Sequence, residues 1–231
     1  MKLFEHPLSK FNKEINQSGK LLDVGSLNFS QYKRIKESHP LIEHHGIDYC
    51  EPTEKIPIGF TFKLADLNKN DIPYENDYFD YVIASHIIEH LSDPLNFFKE
   101  CMRVLKPNGL LYIEAPSERS LRINGNKKDL HKMLSFNLYD DPTHSMRPWT
   151  PQSFYRLAKY YGCNSIKTEH IISWKIKVLF PVLYIYSKIL KNRPMLEKII
   201  WLKNGWAVYM IATKEYKGSP KFNYFIPERN I

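Results

Sequence analysis

The sequence predicts an α/β fold with a mostly parallel sheet. Short apolar runs alternate with helical patterns along 231 residues, and this alternation is typical of βαβ units. Two of the runs end in a carboxylate, at Asp23 and Asp48, and a glycine follows the first at Gly25. This length fits a single domain, 1–231.

Each predicted element follows from a local pattern. The strands are predicted at 21–24, 45–49, 60–65, 81–84, 110–113, 166–172 and 207–213. A helix over 29–38 follows the first strand, and one over 93–105 carries Leu95, Phe98, Met102 and Leu105 at helical spacing. Pro107-Asn108-Gly109 is predicted to end it. Thr150 and Pro151 predict the start of a further helix as N-cap and first-turn residues.

Two segments are predicted to decorate the domain. The polar connection 116–149 is long enough for a substrate lid. Its basic residues are Arg119, Arg122, Lys127, Lys128, Lys132 and Arg147. The aromatic-rich segment 173–205 is predicted as a helical insertion that covers the site, forms a homodimer surface or lies on a membrane. Its lysines, and Pro181 in its middle, argue against a membrane-spanning helix.

Composition limits the partners and the compartment. The net charge of +8 indicates an acidic partner, an anionic surface or only good solubility. The cysteines, Cys50, Cys101 and Cys163, are odd in number and widely spaced, which argues against a disulfide framework. Residues 1–7 lack the apolar core of a secretory signal. We therefore expect a cytoplasmic protein.

The ends of the first two strands predict a nucleoside ligand. A glycine turn lets the backbone approach such a ligand, and a carboxylate at the end of the next strand accepts hydrogen bonds from ribose hydroxyls. Gly25 and Asp48 stand at these two positions.

The ordered set of motifs resembles class I S-adenosylmethionine-dependent methyltransferases of the methyltransferase-11-like kind. The motifs are Leu21-Leu22-Asp23-Val24-Gly25, Gly46-Ile47-Asp48, Ala65-Asp66-Leu67, Phe79-Asp80-Tyr81-Val82-Ile83, His86-Ile87-Ile88-Glu89-His90-Leu91 and Leu105-Lys106-Pro107-Asn108-Gly109-Leu110-Leu111. The resemblance covers 18–116 closely and the last two strands loosely. It implies a Rossmann-like seven-stranded sheet with helices on both faces and a final antiparallel strand.

The resemblance also implies the cofactor, S-adenosylmethionine, with S-adenosylhomocysteine as product. The positions that it implies for cofactor binding are Asp23, Gly25, Ser26, Asp48, Tyr49, Asp66, Leu67, Ser85 and His86. Asp23 would lie near the methionine end, Asp48 would bind the ribose, and Asp66 would meet the adenine. Ser85 and His86 would line the methyl-transfer site.

The first turn departs from the family pattern Gly-x-Gly-x-Gly. Only Gly25 is kept, and Leu27 and Phe29 replace the other glycines. We expect a narrower loop, or one that bends differently with Asn28 in a left-handed conformation. The departure also leaves open a protein that binds the cofactor without turnover.

The stretch His86–His90 also matches an inverted zinc-protease pattern. The pattern is short, and here it follows a buried strand rather than lying within a helix. No metal site is predicted, and His90 is expected at the rim of the substrate pocket.

The segment 140–149 supplies the predicted acceptor site. His144 could remove a proton from an attacking hydroxyl, because the imidazole pKa lies near neutral pH. Arg147 could hold an anionic group, and Trp149 could stack on a ring. The alternative is a loop structure that only leads into the helix at Thr150.

These residues predict O-methylation of a small, phosphorylated acceptor. The basic lid favours a sugar or sugar nucleotide in glycan biosynthesis, and the aromatic insertion favours a lipid-like or quinone acceptor instead. Nucleic acid is not a predicted partner, because base-methyltransferase signatures and RNA-binding appendages are absent from the sequence.

Overall fold

A computed structural model describes residues 4–123, 137–144 and 147–215. Among these residues, seven strands form a sheet in the order β3-β2-β1-β4-β5-β7-β6. The strands are β1 (Ser18–Val24), β2 (Leu41–Asp48), β3 (Phe60–Leu64), β4 (Phe79–Ser85), β5 (Leu105–Pro116), β6 (Cys163–His170) and β7 (Ala207–Lys214). Only β7 runs antiparallel to its neighbours, β5 and β6. The predicted fold class is confirmed.

Six α-helices cover the two faces of the described sheet. They are α1 (Pro7–Glu14), α2 (Ser30–Ile35), α3 (Pro94–Val104), α4 (Pro151–Tyr160), α5 (Trp174–Ile189) and α6 (Arg193–Asn204). Asp93 caps α3 by accepting hydrogen bonds from the amides of Leu95 and Asn96. At the start of α4, Thr150 and Ser153 form a reciprocal capping box.

The sheet is buried on both faces, which explains why its strands are nearly continuous apolar runs. Val82 and Leu111 contribute to one core, which also contains Phe98 of α3 and Phe154 of α4. The next residues along the same strands, Ile83 and Tyr112, face the other core, with α1 and α6. Successive side chains of a strand point to opposite faces, and this periodicity divides the two cores.

Three features of the observed strands and helices differ from the sequence prediction. β5 begins at Leu105, and Pro107-Asn108-Gly109 lies within a register shift of this strand. Leu95 was expected on the apolar face of α3 but is exposed. β6 begins at Cys163, three residues before the predicted start.

The segment 173–205 forms α5 and α6. Pro181 lies inside α5 without ending it, contrary to the expected break. Among the described residues, no helix is long and apolar enough to cross a membrane. Within 116–149, the described parts form short 3-10 helices at Glu118–Arg122 and Leu138–Asp140. Lys127, Lys128 and Lys132 of the predicted lid lie outside the described residues.

Candidate functional site

The first turn of the site follows β1 at the carboxyl edge of the sheet, where ligands of open α/β folds bind. Gly25 has φ +80°, and a Cβ there would lie 2.2 Å from Ile87 Cδ1. Any other residue would therefore be strained and would clash. Gly25 has no side chain that could block a cofactor from the backbone. In this structure the Ile87 side chain lies against Gly25.

Asp23 precedes this turn as a deeply buried carboxylate. It is 4% exposed, and no hydrogen bond among the described residues satisfies it. Burial, and then the charge of Asp48, raise the pKa of Asp23 to about 8. A buried acid without a partner favours a nearby cation. The positively charged methionine end of S-adenosylmethionine fits this requirement.

Asp48 ends β2 and points its carboxylate at the loop after β1. Its Oδ2 accepts a hydrogen bond from the Leu27 amide at 3.2 Å, and Oδ1 accepts one from the Tyr49 amide at 2.8 Å. Each carboxylate oxygen has a second lone pair. Asp48 can therefore hold the loop and still accept ribose hydroxyls. The Tyr49 ring is 75% exposed and takes no part in this arrangement.

The glycine-poor turn closes differently from the expectation. Phe29, not Asn28, adopts the left-handed conformation, with φ 52°. Its buried ring packs edge-on against Phe60 with centroids 5.0 Å apart. The Phe29 side chain thus lies under α2, in a small core with Tyr32. Ser26 is also buried and fills the space beside Gly46, where a Cβ would lie 2.1 Å from Ser26 Oγ.

Asp66 and Leu67 follow β3, as predicted. Asp66 pairs with Lys69 at 2.8 Å and accepts from the Asn68 amide at 3.0 Å. The hydrogen bond from Lys69 and then that from Asn68 lower the pKa of Asp66. Leu67 packs against the core. Asp66 therefore organises its own turn here, and its carboxylate remains partly exposed.

His86, the residue after Ser85 and β4, connects two buried acids. It has φ 58°, its Nδ1 lies 3.1 Å from Glu89 Oε1, and its Nε2 lies 3.1 Å from Glu114 Oε1. Burial alone would lower the pKa of His86, but the hydrogen bonds and charges of Glu114 and Glu89 outweigh it and raise this pKa to about 10. At neutral pH His86 is a cation that donates both N–H groups, not a base.

A cavity of about 250 Å³ opens beside this network. Its walls include aromatic and charged side chains, among them Phe4, His6, His86, Glu114, Trp201 and Trp206. The Glu114 carboxylate lies 3.5 Å from His6 Nε2. Contacts with His6 and His86 overcome the effect of burial and depress the pKa of Glu114. The cavity can therefore take a ring and offer it a fixed pattern of charge.

Sequence reasoning missed Glu114, His6 and the tryptophans. A signal for Glu114 existed, since it is a lone carboxylate in the apolar run 110–115, like Asp48 in its own strand. No comparable signal marks His6. His6 reaches the site because α1 packs on the same face of the sheet as α6 and Trp206.

The predicted acceptor residues separate into two groups. His144 and His90 come together, with ring centroids 4.7 Å apart. Trp149 is 2% exposed and stacks on Phe154 at 4.8 Å. It occupies a core position rather than the open stacking surface that the sequence suggested. Arg147 is exposed, and its guanidinium lies 5.7 Å from the centre of the Trp149 ring.

Strand order, the glycine turn and the acids at the strand ends define the class I methyltransferases that use S-adenosylmethionine. Residues 22–113 of this chain match the family described as methyltransferase domain. A probable S-adenosylmethionine-dependent methyltransferase of Mycolicibacterium smegmatis is 32% identical over 75 residues, which are 31% of this chain and 29% of that protein. The predicted recognition and cofactor class are confirmed.

Two further comparisons bear on fold and acceptor. A ubiquinone biosynthesis O-methyltransferase of Parvibaculum lavamentivorans is 41% identical over 44 residues, 19% of this chain and 17% of that protein. The matches therefore span less than a third of these relatives' lengths. A solved S-adenosylmethionine-dependent methyltransferase of Archaeoglobus fulgidus has a TM-score of 0.60 at 22% identity, covering 90% of this chain and 91% of that one. The two proteins therefore share their fold over most of both chains, beyond the residues 22–113 that match the family.

Proposed function

We propose that this protein transfers the methyl group of S-adenosylmethionine to a hydroxyl of a lipid-like or quinone-type ring acceptor. The observation that carries the proposal is the arrangement of Asp23, Gly25 and Asp48 at the carboxyl ends of β1 and β2. The hydroxyl oxygen attacks the methyl carbon in line, the carbon–sulfur bond breaks, and S-adenosylhomocysteine leaves. Positioning of the two reactants supplies much of such a rate enhancement.

Each cofactor contact follows from the chemistry of the side chain. The Asp48 carboxylate accepts hydrogen bonds from two ribose hydroxyls, for which it keeps free lone pairs. Asp23 balances the positive charge of the methionine end. Gly25 lets the chain pass close to the ligand, and Asp66 with Leu67 lies on the side of β3, where the adenine would be bound.

The acceptor is inferred from the cavity and from α5. Trp201 and Trp206 line a cavity of about 250 Å³, a size suited to a single ring. Two matched relatives are named for O-methylation in ubiquinone biosynthesis. The sugar or sugar-nucleotide acceptor of the sequence prediction has no support in the comparisons. The lid lysines that suggested an anionic acceptor lie outside the described residues.

A peripheral contact with a membrane through 173–205 accompanies this acceptor. One side of α5 exposes a stripe of apolar residues, Trp174, Val178, Val182, Ile185 and Ile189. Lysines 175, 177 and 188 lie on the same helix. Apolar residues with interleaved lysines suit an anionic lipid surface.

We keep the predicted base, His144, in the proposal, although it is not among the residues that line the cavity. Its Nδ1 lies 2.6 Å from the Leu138 carbonyl oxygen, which can only accept, so Nδ1 carries the proton. In the neutral ring, Nε2 then has a free lone pair. This lone pair can take the proton of an acceptor hydroxyl.

The cofactor assignment predicts the effect of removing Asp48. Replacement of Asp48 by alanine should weaken S-adenosylmethionine binding more than about tenfold, because two charge-assisted hydrogen bonds are lost. Titration calorimetry gives the affinity, and transfer of labelled methyl into an organic-extractable quinol product gives the activity. Both should fall together.

The matched control is Glu51→Ala, which removes an exposed acid three residues further on. Circular dichroism of each variant checks that the fold is retained. Absence of cofactor binding by the wild type would overturn the proposed function. Binding that is unchanged in Asp48→Ala would overturn the ribose assignment.

A further inference from the structure

We propose that Glu89, His90 and His144 form a binding site for a divalent transition-metal ion such as Zn²⁺. One ligand atom of each residue, a carboxylate oxygen or a ring nitrogen, lies within 4.8 Å of the others. Glu89 and His90 belong to the 3-10 turn after β4, and His144 lies beyond the turn Leu138–Asp140. Two segments far apart in the sequence thus bring three donors to one point.

The hydrogen bond of His144 Nδ1 leaves Nε2 free to coordinate a metal ion. Nδ1–H donates to the Leu138 carbonyl oxygen at 2.6 Å. The lone pair of the neutral ring therefore lies on Nε2. Histidine ligands of metals commonly donate their other N–H to a carbonyl in this way, which fixes the ring for coordination.

His90 is fixed in the same tautomer through Thr143. The Thr143 hydroxyl donates its single hydrogen to Asp141 Oδ1 at 2.6 Å. The contact of 2.9 Å between Thr143 Oγ1 and His90 Nδ1 must then use a lone pair of the hydroxyl oxygen, so Nδ1 is the donor. His90 Nε2 is left as an acceptor, like that of His144.

Glu89 supplies a buried carboxylate oxygen that lacks a partner among the described residues. The residue is 1% exposed, and its Oε1 accepts from His86. Its Oε2 is buried and has no hydrogen-bond partner among the described residues. A buried carboxylate oxygen without a partner is unfavourable unless a cation or donor meets it. A metal ion between Glu89 and the two imidazoles would satisfy it.

The site is different from the zinc-protease pattern noted in the sequence. That pattern would pair His86 with His90, but both nitrogens of His86 already donate to Glu114 and Glu89. Two other charged groups face the three ligands. The His86 cation contacts Glu89 Oε1 at 3.1 Å. Asp141 Oδ2 lies 3.9 Å from His144 Nε2, beyond hydrogen-bond distance, and adds negative charge around the metal ion.

The donor set selects the kind of metal. Two imidazoles with one carboxylate suit zinc and other first-row transition metals better than Mg²⁺ or Ca²⁺, which prefer oxygen ligands. Three protein ligands leave a position open. If the proposed function holds, this position would be available to the acceptor hydroxyl, and the ion held by Glu89, His90 and His144 would act as a Lewis acid that favours loss of the hydroxyl proton. His144 would then be a ligand rather than a base.

Equilibrium dialysis of the full-length protein against Zn²⁺, without an affinity tag, tests the site. Elemental analysis should give one zinc per chain. His144→Ala and His90→Ala should each weaken zinc binding by about a hundredfold or more. Thr143→Val removes the hydroxyl that accepts from His90 and donates to Asp141, and should weaken zinc binding by about ten- to a hundredfold.

The matched control is His170→Ala, because His170 is also a histidine beside a glutamate, Glu118, at 2.8 Å. It should leave the zinc content unchanged. No stoichiometric zinc in the wild type, or equal zinc in the wild type and His144→Ala, would overturn the proposal. If His144→Ala fails to fold, the exposed Thr143 provides the decisive variant. Zinc content is independent of turnover, so failure of the proposed function would leave this result standing, and the reverse.

Discussion

Asp23 shows how burial and a missing partner prepare a single residue for a charged ligand. The unfolded chain loses the proton of this carboxyl near its usual pKa of 3.8, whereas the folded protein keeps it to about pH 8. Between these values the folded state binds more protons than the unfolded state. Linkage then requires that ionisation of Asp23 destabilise the fold as the pH rises.

Asp23→Asn should therefore flatten the pH dependence of stability. The free energy of unfolding of the wild type, relative to that of the variant, should fall between pH 5 and pH 8 by up to about 1.4 kcal/mol per pH unit. Urea unfolding at several pH values measures this difference. The difference removes contributions shared by both proteins, such as that of buried His44, whose pKa is lowered to about 4. Glu51→Gln removes an exposed acid and should leave the slope of unfolding free energy against pH unchanged. If the curves of the wild type and Asp23→Asn run parallel, Asp23 does not cause this pH dependence.

The sequence predicted the positions of those candidate site residues that stand at strand ends. Asp23, Asp48 and His86 are placed by the alternation of apolar runs and turns, which is local information. His6 and Trp206 reach the site through packing of distant segments, and no local pattern encodes that. The approach of Glu89, His90 and His144 was not predicted for the same reason, because it joins two segments that are distant in the sequence.

Helix α5 exposes many apolar side chains that its packing within the protein does not explain. Its inner side, with Ile176 buried, packs against α6 and the core. Its outer side exposes Val178 at 68%, Val182 at 67% and Ile189 at 73%. A continuous apolar stripe of this kind generally marks an interaction surface.

Charges on this stripe should abolish the proposed membrane contact. The double variant Val182→Glu, Ile185→Glu should lower partitioning onto vesicles with anionic phospholipids by about tenfold or more, because apolar burial and lipid attraction are both lost. Flotation on a density gradient measures it. Ile58→Glu changes an equally exposed residue outside α5, at 93%, and should leave flotation unchanged. Wild-type protein that never floats would argue instead for the homodimer surface.

The sequence predicts the start of a helix where a capping residue determines it through local hydrogen bonds. Thr150 caps α4 as expected, and Asp93 caps α3 in the same way, since capping is a local hydrogen-bond requirement. The helix that Pro107 was predicted to end stops at Val104. Pro181 does not end α5, because tertiary packing outweighed its local preference. α5 lies against α6, and β5 continues through its irregularity to pair with both β4 and β7.

For the whole molecule, the two ends of the described chain meet on the central strands. Phe11 of α1 is fully buried, with its ring centroid 5.6 Å from that of Tyr112 in β5. β7, the last described strand, pairs with this same β5. The seven-stranded sheet with its antiparallel last strand was predicted only through the family resemblance, since the pairing of strands depends on contacts between distant segments. Such closure should make the fold unfold as one unit.

Phe11→Ala should accordingly destabilise the whole protein rather than loosen its N-terminus. Removal of a fully buried phenylalanine costs about 3–5 kcal/mol in the free energy of unfolding, from lost apolar contact and the cavity left behind. Urea unfolding followed by both tryptophan fluorescence and circular dichroism should still give one coincident transition. Lys10→Ala, one residue earlier and exposed, should change the midpoint little. Two separate transitions in Phe11→Ala would instead mean that α1 is an independent appendage, and His6 would then not be held against Glu114 by the fold.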